Sequence, residues 1–102
     1  MDKNKASFTD IINSETPVLI DFYADWCGPC KAQAPILQNL KQELGDKVTI
    51  VKIDVDRNQQ LAEKLNIRSI PTMMIFQKGE LKWQAMGVQQ MQTLKQQVEE
   101  LS

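Results

Sequence analysis

The sequence contains no histidine. Imidazole is the base of Ser-His-Asp and Cys-His sites and the commonest side-chain metal ligand, so sites that depend on it are excluded. Any proton transfer must instead use a carboxylate, a lysine, a thiol or water.

Cysteine is also scarce, with 2 residues in 102. This count excludes a disulfide-dense secreted scaffold. Zinc takes four ligands, and one chain offers only two thiolates and no imidazole, so we expect no metal site within the chain. A metal that bridges two chains through four thiolates stays open as an alternative.

Neither sign of charge is in excess, since 12 Lys and Arg residues face 13 Asp and Glu residues. This balance argues against a nucleic-acid binder, which needs a basic face. The longest apolar runs, residues 18–20 and 73–76, are too short to cross a bilayer. The N-terminus lacks the apolar stretch of a signal peptide, so we expect a cytoplasmic protein that does not act at a membrane.

Hydrophobic residues make up 42% of the chain, which is ordinary for a globular protein with its own core. No segment rich in proline, glycine and serine divides the sequence. We therefore expect residues 1–102 to form a single domain, with the polar residues 1–6 frayed.

Apolar residues at helical spacing predict four amphipathic helices. Cap residues and breakers set their expected limits. These limits are Ser7 or Thr9 for the first helix, Pro29 and Gly45 for the second, Asn58 for the third, and residues 91–101 for the fourth.

The remaining apolar runs predict strands. Residues 18–24 are apolar on both pleat faces apart from Asp21, as in a strand covered on both sides, and residues 48–55 predict a second buried strand. Residues 72–76 and 81–85 flank a turn and predict a hairpin. The order α-β-α-β-α-β-β-α makes the first strand pair parallel and the last antiparallel, so we expect an α/β protein with a mixed central sheet and helices on both faces.

Cys27-Gly28-Pro29-Cys30 lies between a predicted strand and a predicted helix. Cys27 falls at the helix N-terminus, where free N–H groups and the helix dipole favour the thiolate, the nucleophile of thiol–disulfide exchange. Cys30 lies one turn further on the same face, close enough to form a disulfide with Cys27 or to attack one that Cys27 has made. Because Cys30 is deeper in the helix, we expect it to be the more buried of the two.

A redox role is favoured over the alternatives for this pair. A purely structural disulfide is disfavoured because a loop this short removes little entropy from the unfolded chain. Two further alternatives remain: a net oxidase or isomerase that uses the same pair, and a binding module whose thiols are incidental.

A charged residue interrupts each of the two buried strands. Asp21 shares a pleat face with Leu19 and Tyr23, so its carboxyl should be desolvated and its pKa raised. Lys52 lies in the next strand, and the two charges could meet beneath the cysteines if the strands are neighbours. We predict that Asp21 accepts the Cys30 proton, directly or through a water. The alternative is a solvent-exposed carboxylate at a sheet edge.

Four further positions have simpler interpretations. Asp54 and Asp56 are expected in solvent at a strand end. Trp26 either belongs to the core or covers the sulfur beside it. Pro71, taken alone, indicates an ordinary trans proline at the start of a strand.

Residues 21–31, DFYADWCGPCK, resemble the thioredoxin family. Further marks follow in the family's order: Pro35, Lys52, residues 70–72, Gly79 and Gly87. The resemblance runs from about Phe8 to the end of the chain. It implies a thioredoxin fold with a sheet of four to five strands, and the Gly-Pro pair is typical of members that act as protein-disulfide reductases.

The resemblance also implies roles for the charged and sulfur residues. Cys27 would be the attacking thiol and Cys30 the resolving thiol. Asp21 would be the buried proton acceptor, with Lys52 as its neighbour.

The resemblance further implies a surface for substrates. Pro71 would be cis and packed against the disulfide, with the backbone of Ile70 and Thr72 available to a substrate strand. A flat apolar contact surface would consist of Trp26, Gly28, Pro29, Ile70, Gly87 and Val88.

Expectations about partners follow from the family as well. They are disulfide-containing protein substrates, no bound cofactor, electrons supplied by the NADPH-dependent flavoprotein thioredoxin reductase, a monomeric state and a role in cell redox homeostasis. The sequence differs from the family's usual pattern at Tyr23, where many members have tryptophan, and at Met86 and Val88. The segment before Phe8 is short, so the family's first edge strand is expected to be shortened or absent.

Overall fold

The computed structural model describes residues 7–101, so the expected fraying of residues 1–6 lies outside the described part. The elements run in the predicted order, with limits within about two residues of those expected from the sequence. They are α1 (Phe8–Ile12), β1 (Val18–Tyr23), α2 (Gly28–Leu44), a 3₁₀ turn (Gly45–Lys47), β2 (Thr49–Asp54), α3 (Gln59–Lys64), β3 (Thr72–Gln77), β4 (Glu80–Met86) and α4 (Met91–Glu99).

The strands form one mixed sheet in the order β2-β1-β3-β4. Strands β1 and β2 are parallel, and the pairs β1–β3 and β3–β4 are antiparallel. The predicted mixed central sheet is therefore confirmed, with four strands among residues 7–101. Strand β1 is central, and all but the last of its residues are buried.

Helices cover both faces of the sheet, as predicted. On one face, α2 and α4 pack over alternate strand residues in a cluster made by Leu19, Leu37, Leu40, Leu44, Val48, Met73, Ile75, Leu94 and Val98. On the other face, α1 and α3 border a second cluster made by Ile12, Val18, Ile20, Phe22, Ile53, Met74 and Phe76. Alternation along β1 sends Leu19 to the first face and Ile20 to the second.

The capping residues predicted from the sequence are confirmed in part. Ser7, and not Thr9, caps α1, because its Oγ accepts a hydrogen bond from the Asp10 N–H at 3.2 Å. Helix α2 ends at Leu44, and Gly45 is its C-cap, with a positive φ of 54°. Asn58 occupies the N-cap position of α3, but the expected side-chain cap is not made: its amide donates to the Asp54 carbonyl at 2.9 Å instead.

The predicted turn between β3 and β4 is confirmed at Lys78 and Gly79, which have φ values of 54° and 82°. These are the left-handed conformations that a tight hairpin turn requires. None of the described helices is both long enough and apolar enough to cross a membrane.

Candidate active site

The two cysteines lie at the start of α2, as the sequence predicted. Cys27 is the N-cap residue, Cys30 lies in the first turn, and a disulfide joins them. The Cys30 N–H donates to the Cys27 Sγ at 3.1 Å. A backbone donor and the positive end of the helix are therefore aimed at the sulfur that would carry a thiolate after reduction.

The expectation that Cys30 is more buried than Cys27 is wrong in this disulfide form. Each residue is 4% exposed. Cys27 is covered because the loop before β3 packs on it, with the Cys27 Sγ 3.8 Å from the Ile70 carbonyl oxygen. Ala24 and the two cysteines form a small cluster of their own, bordered by Ile70.

The loop that covers Cys27 is built around Pro71. The Ile70–Pro71 bond is cis, as the resemblance implied. Pro71 and Thr72 are buried, and the Thr72 Oγ1 donates to the Ser69 carbonyl at 2.7 Å. The Pro71 carbonyl accepts from the Gly87 N–H at 2.8 Å, which brings the segment after β4 to the same place.

Asp21 is a buried carboxyl on the central strand. It is fully shielded from solvent, and neither of its oxygens has a hydrogen-bond partner within residues 7–101. Two residues after Leu19, it lies on the sheet face that α2 covers. Burial raises its pKa from 3.8 to about 6, and the positive charge of Lys52 opposes part of this rise. The predicted desolvation is confirmed, and the alternative of an exposed edge position is wrong.

Lys52 is the β2 residue directly opposite Asp21. Its Nζ lies 4.6 Å from the centre of the Tyr23 ring, a cation–π arrangement that holds the ammonium near the sheet surface. Lys52 and Cys30 both line a surface cavity of about 220 Å³. This volume is several times the share of one water molecule in the liquid.

Trp26 is at the surface and 71% exposed, so the alternative that placed it in the core is wrong. Its indole Nε1 donates to the Asp56 Oδ2 at 2.9 Å. Asp54 is only 8% exposed, contrary to expectation, because its Oδ1 accepts from the backbone N–H groups of Asp56 and Arg57 at 2.8 and 3.3 Å. This turn holds Asp56 where its carboxylate accepts the hydrogen bond from Trp26, a contact that no local sequence signal predicted.

The residues expected to form a contact surface lie around the disulfide. Gly28, Pro29 and Val88 are exposed, and Ile70 and Gly87 are half-buried. Met86, which the sequence marked only as a departure from the family, is 67% exposed beside them. A further shallow cavity of about 160 Å³ borders this surface and is lined by Trp26, Val55, Ile67, Arg68, Ser69 and Ile70.

Sequence reasoning also missed Gln33. Its side chain is fully buried on α2 and makes two hydrogen bonds to the backbone of Gln89. The available signal was its spacing, because Gln33 lies three residues after Cys30 and four before Leu37 on the buried stripe of the helix.

Comparisons with known proteins agree with this geometry. The family model described as Thioredoxin matches residues 1–100. A thioredoxin from Bacillus subtilis is 49% identical over 83 residues, which cover 81% of this chain and 80% of that protein. A bifunctional thioredoxin reductase/thioredoxin from Mycobacterium leprae is 47% identical over 73 residues, 72% of this chain and 16% of that protein.

The fold comparison gives the same picture. The structure of a mutant thioredoxin from Halobacterium salinarum is similar to this chain with a TM-score of 0.82 and 38% sequence identity. The match covers 91% of this chain and 80% of that one.

Proposed function

Because this chain belongs to the thioredoxin family and carries the Cys27–Cys30 pair, it is a dithiol–disulfide oxidoreductase, and we propose how its residues divide the reduction of protein disulfides. The observation that carries this proposal is a disulfide at the N-terminus of α2, beside the Pro71 loop. A buried carboxyl, Asp21, lies on the sheet face that α2 covers.

The first step is attack by the Cys27 thiolate on one sulfur of a substrate disulfide. A bond forms between Cys27 and that sulfur, the substrate S–S bond breaks, and the other substrate sulfur leaves as a thiolate. In the second step, the Cys30 thiolate attacks the Cys27 Sγ and releases the second substrate thiolate. The two cysteines thus become a disulfide, and two electrons pass to the substrate.

Asp21 is the proposed acceptor of the Cys30 proton. Its support is its burial on the α2 face together with a pKa of about 6, close to the pH at which the reaction must run. The cavity lined by Cys30 and Lys52 would supply a water that enters between Cys30 and Asp21 and carries the proton. Lys52, opposite Asp21, would stabilise the carboxylate after it loses that proton.

The substrate would lie across the surface around Pro71. In this proposal, the backbone of Ile70 and Thr72 pairs with an extended segment of the substrate. The exposed groups Trp26, Gly28, Pro29 and Val88, together with the half-buried Gly87, would exclude water from the exchanging sulfurs.

We propose that a separate NADPH-dependent flavoprotein returns the disulfide to the dithiol. The relative from Mycobacterium leprae is named as a bifunctional thioredoxin reductase/thioredoxin, which supports a thioredoxin reductase as the partner. The chain itself would act as a cytoplasmic monomer without a bound cofactor.

The cysteine roles are tested by two serine variants in the reduction of insulin disulfides. Cys27→Ser should lose activity at least a thousand-fold, on the order expected when a nucleophile is removed. Cys30→Ser should form mixed disulfides with insulin that accumulate and are released by dithiothreitol. Retained turnover in Cys27→Ser, or clean turnover without trapped complexes in Cys30→Ser, would contradict the proposed roles.

A second measurement separates reduction from the other thiol–disulfide functions. The reduction potential of the pair should lie below that of the glutathione couple, as expected for a reductant. A potential above it would indicate a net oxidase or isomerase. Unchanged affinity for partners after both cysteines are replaced by serine would indicate a binding module.

A further inference from the structure

Gln33 is a polar side chain in an apolar setting. It is fully buried on the stripe of α2 that also carries Cys30 and Leu37. An amide in such a place is stable only when its donor and acceptor are paired. A leucine or methionine would fill the same space without this requirement, so the partners of the amide are informative.

Both partners belong to the backbone of one residue, Gln89. The Gln33 Nε2 donates to the Gln89 carbonyl at 3.0 Å, and the Gln33 Oε1 accepts from the Gln89 N–H at 2.7 Å. The Gln33 side-chain amide thus satisfies both backbone groups of Gln89, as a backbone peptide group does in a neighbouring strand. The Gln89 side chain in turn donates to the carbonyls of Met86 and Gly87 at 3.0 and 3.2 Å.

These four hydrogen bonds hold residues 86–90, which we call the β4–α4 segment. The segment also contacts the Pro71 loop, because the Gly87 N–H donates to the Pro71 carbonyl at 2.8 Å. Its apolar side chains nevertheless point to solvent: Met86 is 67% and Val88 36% exposed. The backbone is fixed while the side chains remain free for contact.

Helix α2 therefore carries the sulfurs and also anchors the segment beside them. Gln33 lies one helical turn after Cys30, so the distance from the disulfide to the β4–α4 segment is set through a single rigid element. Protein partners contact such a preformed surface at a low entropic cost, whereas a small disulfide needs to reach only the Cys27 sulfur.

We propose that Gln33 is a positioning residue for protein substrates, which fixes the β4–α4 segment so that Met86 and Val88 meet a partner docked on Cys27. This inference rests on the proposed function and adds the residue that sets its preference for protein disulfides over small ones. Gln33 takes no part in the transfer of electrons or protons.

The test compares Gln33→Met with Gln42→Met, a matched control whose glutamine is exposed on the same helix. The reduced proteins react with insulin and with the small aromatic disulfide 5,5′-dithiobis(2-nitrobenzoic acid). Gln33→Met should raise the KM for insulin about five-fold or more, a loss that corresponds to part of one buried hydrogen-bond pair, and leave kcat within about two-fold. Its rate with the small disulfide should stay within about two-fold, as should both reactions of the control.

A merely structural role would slow both reactions equally, and this result, or an unchanged KM for insulin, would overturn the inference. If the wild-type protein reduces neither disulfide, the proposed function itself fails, which is a distinguishable outcome.

Amide hydrogen exchange in the wild-type protein gives a check that does not depend on any variant. The Gln89 N–H should exchange at least ten-fold more slowly than the amides of exposed loop residues, and this protection should be lost in Gln33→Met while the β3 amides stay protected. A Gln89 amide that exchanges as fast as an exposed one in the wild-type protein would overturn the inference.

Discussion

Asp21 shows how strongly one residue's chemistry depends on its surroundings. Its carboxyl has no solvent contact and no hydrogen-bond donor nearby in the described chain, so the charged form is penalised and the pKa rises to about 6. Lys52 moderates this rise from across the strand pair, but its ammonium is held over the Tyr23 ring. The result is a carboxyl that can both hold and release a proton near neutral pH.

Replacement of Asp21 by asparagine gives a pH-dependent stability difference. Below the unfolded pKa of 3.8, Asp21 is protonated in both the folded and the unfolded state, so no buried charge destabilises the folded protein. As the pH rises through the window from 3.8 to about 6, the unfolded state ionises first, and the folded wild-type protein loses stability relative to Asp21→Asn. Between the two ends of this window, the free energy of unfolding of Asp21→Asn should rise by about 3 kcal/mol relative to that of the wild-type protein.

The measurement is urea unfolding of the oxidised proteins at pH 4, 5, 6 and 7.5. Asp46→Asn serves as the control for replacement of a carboxylate by an amide, because Asp46 is exposed. A stability difference between Asp21→Asn and the wild-type protein that does not vary with pH would contradict the buried, proton-holding carboxyl.

The same variant separates the two chemical steps. Asp21→Asn should slow resolution of the mixed disulfide more than its formation, because only the second step requires the Cys30 proton to leave. Rapid mixing with insulin, followed by acid quenching and mass analysis, gives both rate constants. Equal slowing of the two steps would indicate general destabilisation instead.

At the scale of elements, α2 organises the site. It carries Cys27 as its cap, Cys30 in its first turn and Gln33 one turn later, and it continues through Pro35 to Gly45. The Pro71 loop contacts Cys27, and the β4–α4 segment is hydrogen-bonded to that loop. The site is therefore the meeting point of one helix N-terminus and two loops.

Glycine positions in two elements predict opposite effects of alanine on stability. Gly79 adopts a φ of 82° in the β3–β4 turn, so Gly79→Ala should destabilise the protein by about 1 kcal/mol. Gly28 lies in the first turn of α2, and a Cβ there would meet no described atom within 4 Å. Gly28→Ala should therefore stabilise the protein by about 0.5 kcal/mol through the unfolded state.

Chemical denaturation of both variants under the same conditions checks this pair of predictions. A stabilised Gly79→Ala would be inconsistent with the left-handed turn, and a strongly destabilised Gly28→Ala would be inconsistent with the open space at that helix turn.

At the scale of the whole molecule, the described residues form one sheet with helices on both faces and a Cα radius of gyration of 13.0 Å. That radius is the value expected for a single compact domain of about 100 residues. We expect a monomer in solution, so X-ray scattering should give a radius of gyration close to this value apart from a hydration shell.

Metal analysis of freshly purified protein completes that measurement. A larger radius together with about half a metal ion per chain would favour the thiolate-bridged dimer that the sequence left open, and it would contradict the monomer. Oxidation of the cysteines should leave the radius unchanged in a monomer.

Local features of the chain could be predicted from the sequence because they depend on residues a few positions apart. Apolar periodicity predicted the helices and strands, and the Cys-Gly-Pro-Cys spacing placed two thiols on one helical turn. Asp21 stood out because it is the charged residue of an otherwise apolar strand. Caps were less certain, since the Asn58 side chain donates to the Asp54 carbonyl and does not accept from the first N–H groups of its own helix.

Contacts between distant segments were decided only by the tertiary structure. Cys27 is as buried as Cys30 because Ile70, 43 positions away, lies on it. Trp26 is tethered to Asp56 across 30 positions, and Gln33 reaches Gln89 across 56. Neighbouring residues set backbone geometry and periodicity, whereas these partners meet only once the sheet has paired and the helices have packed against it.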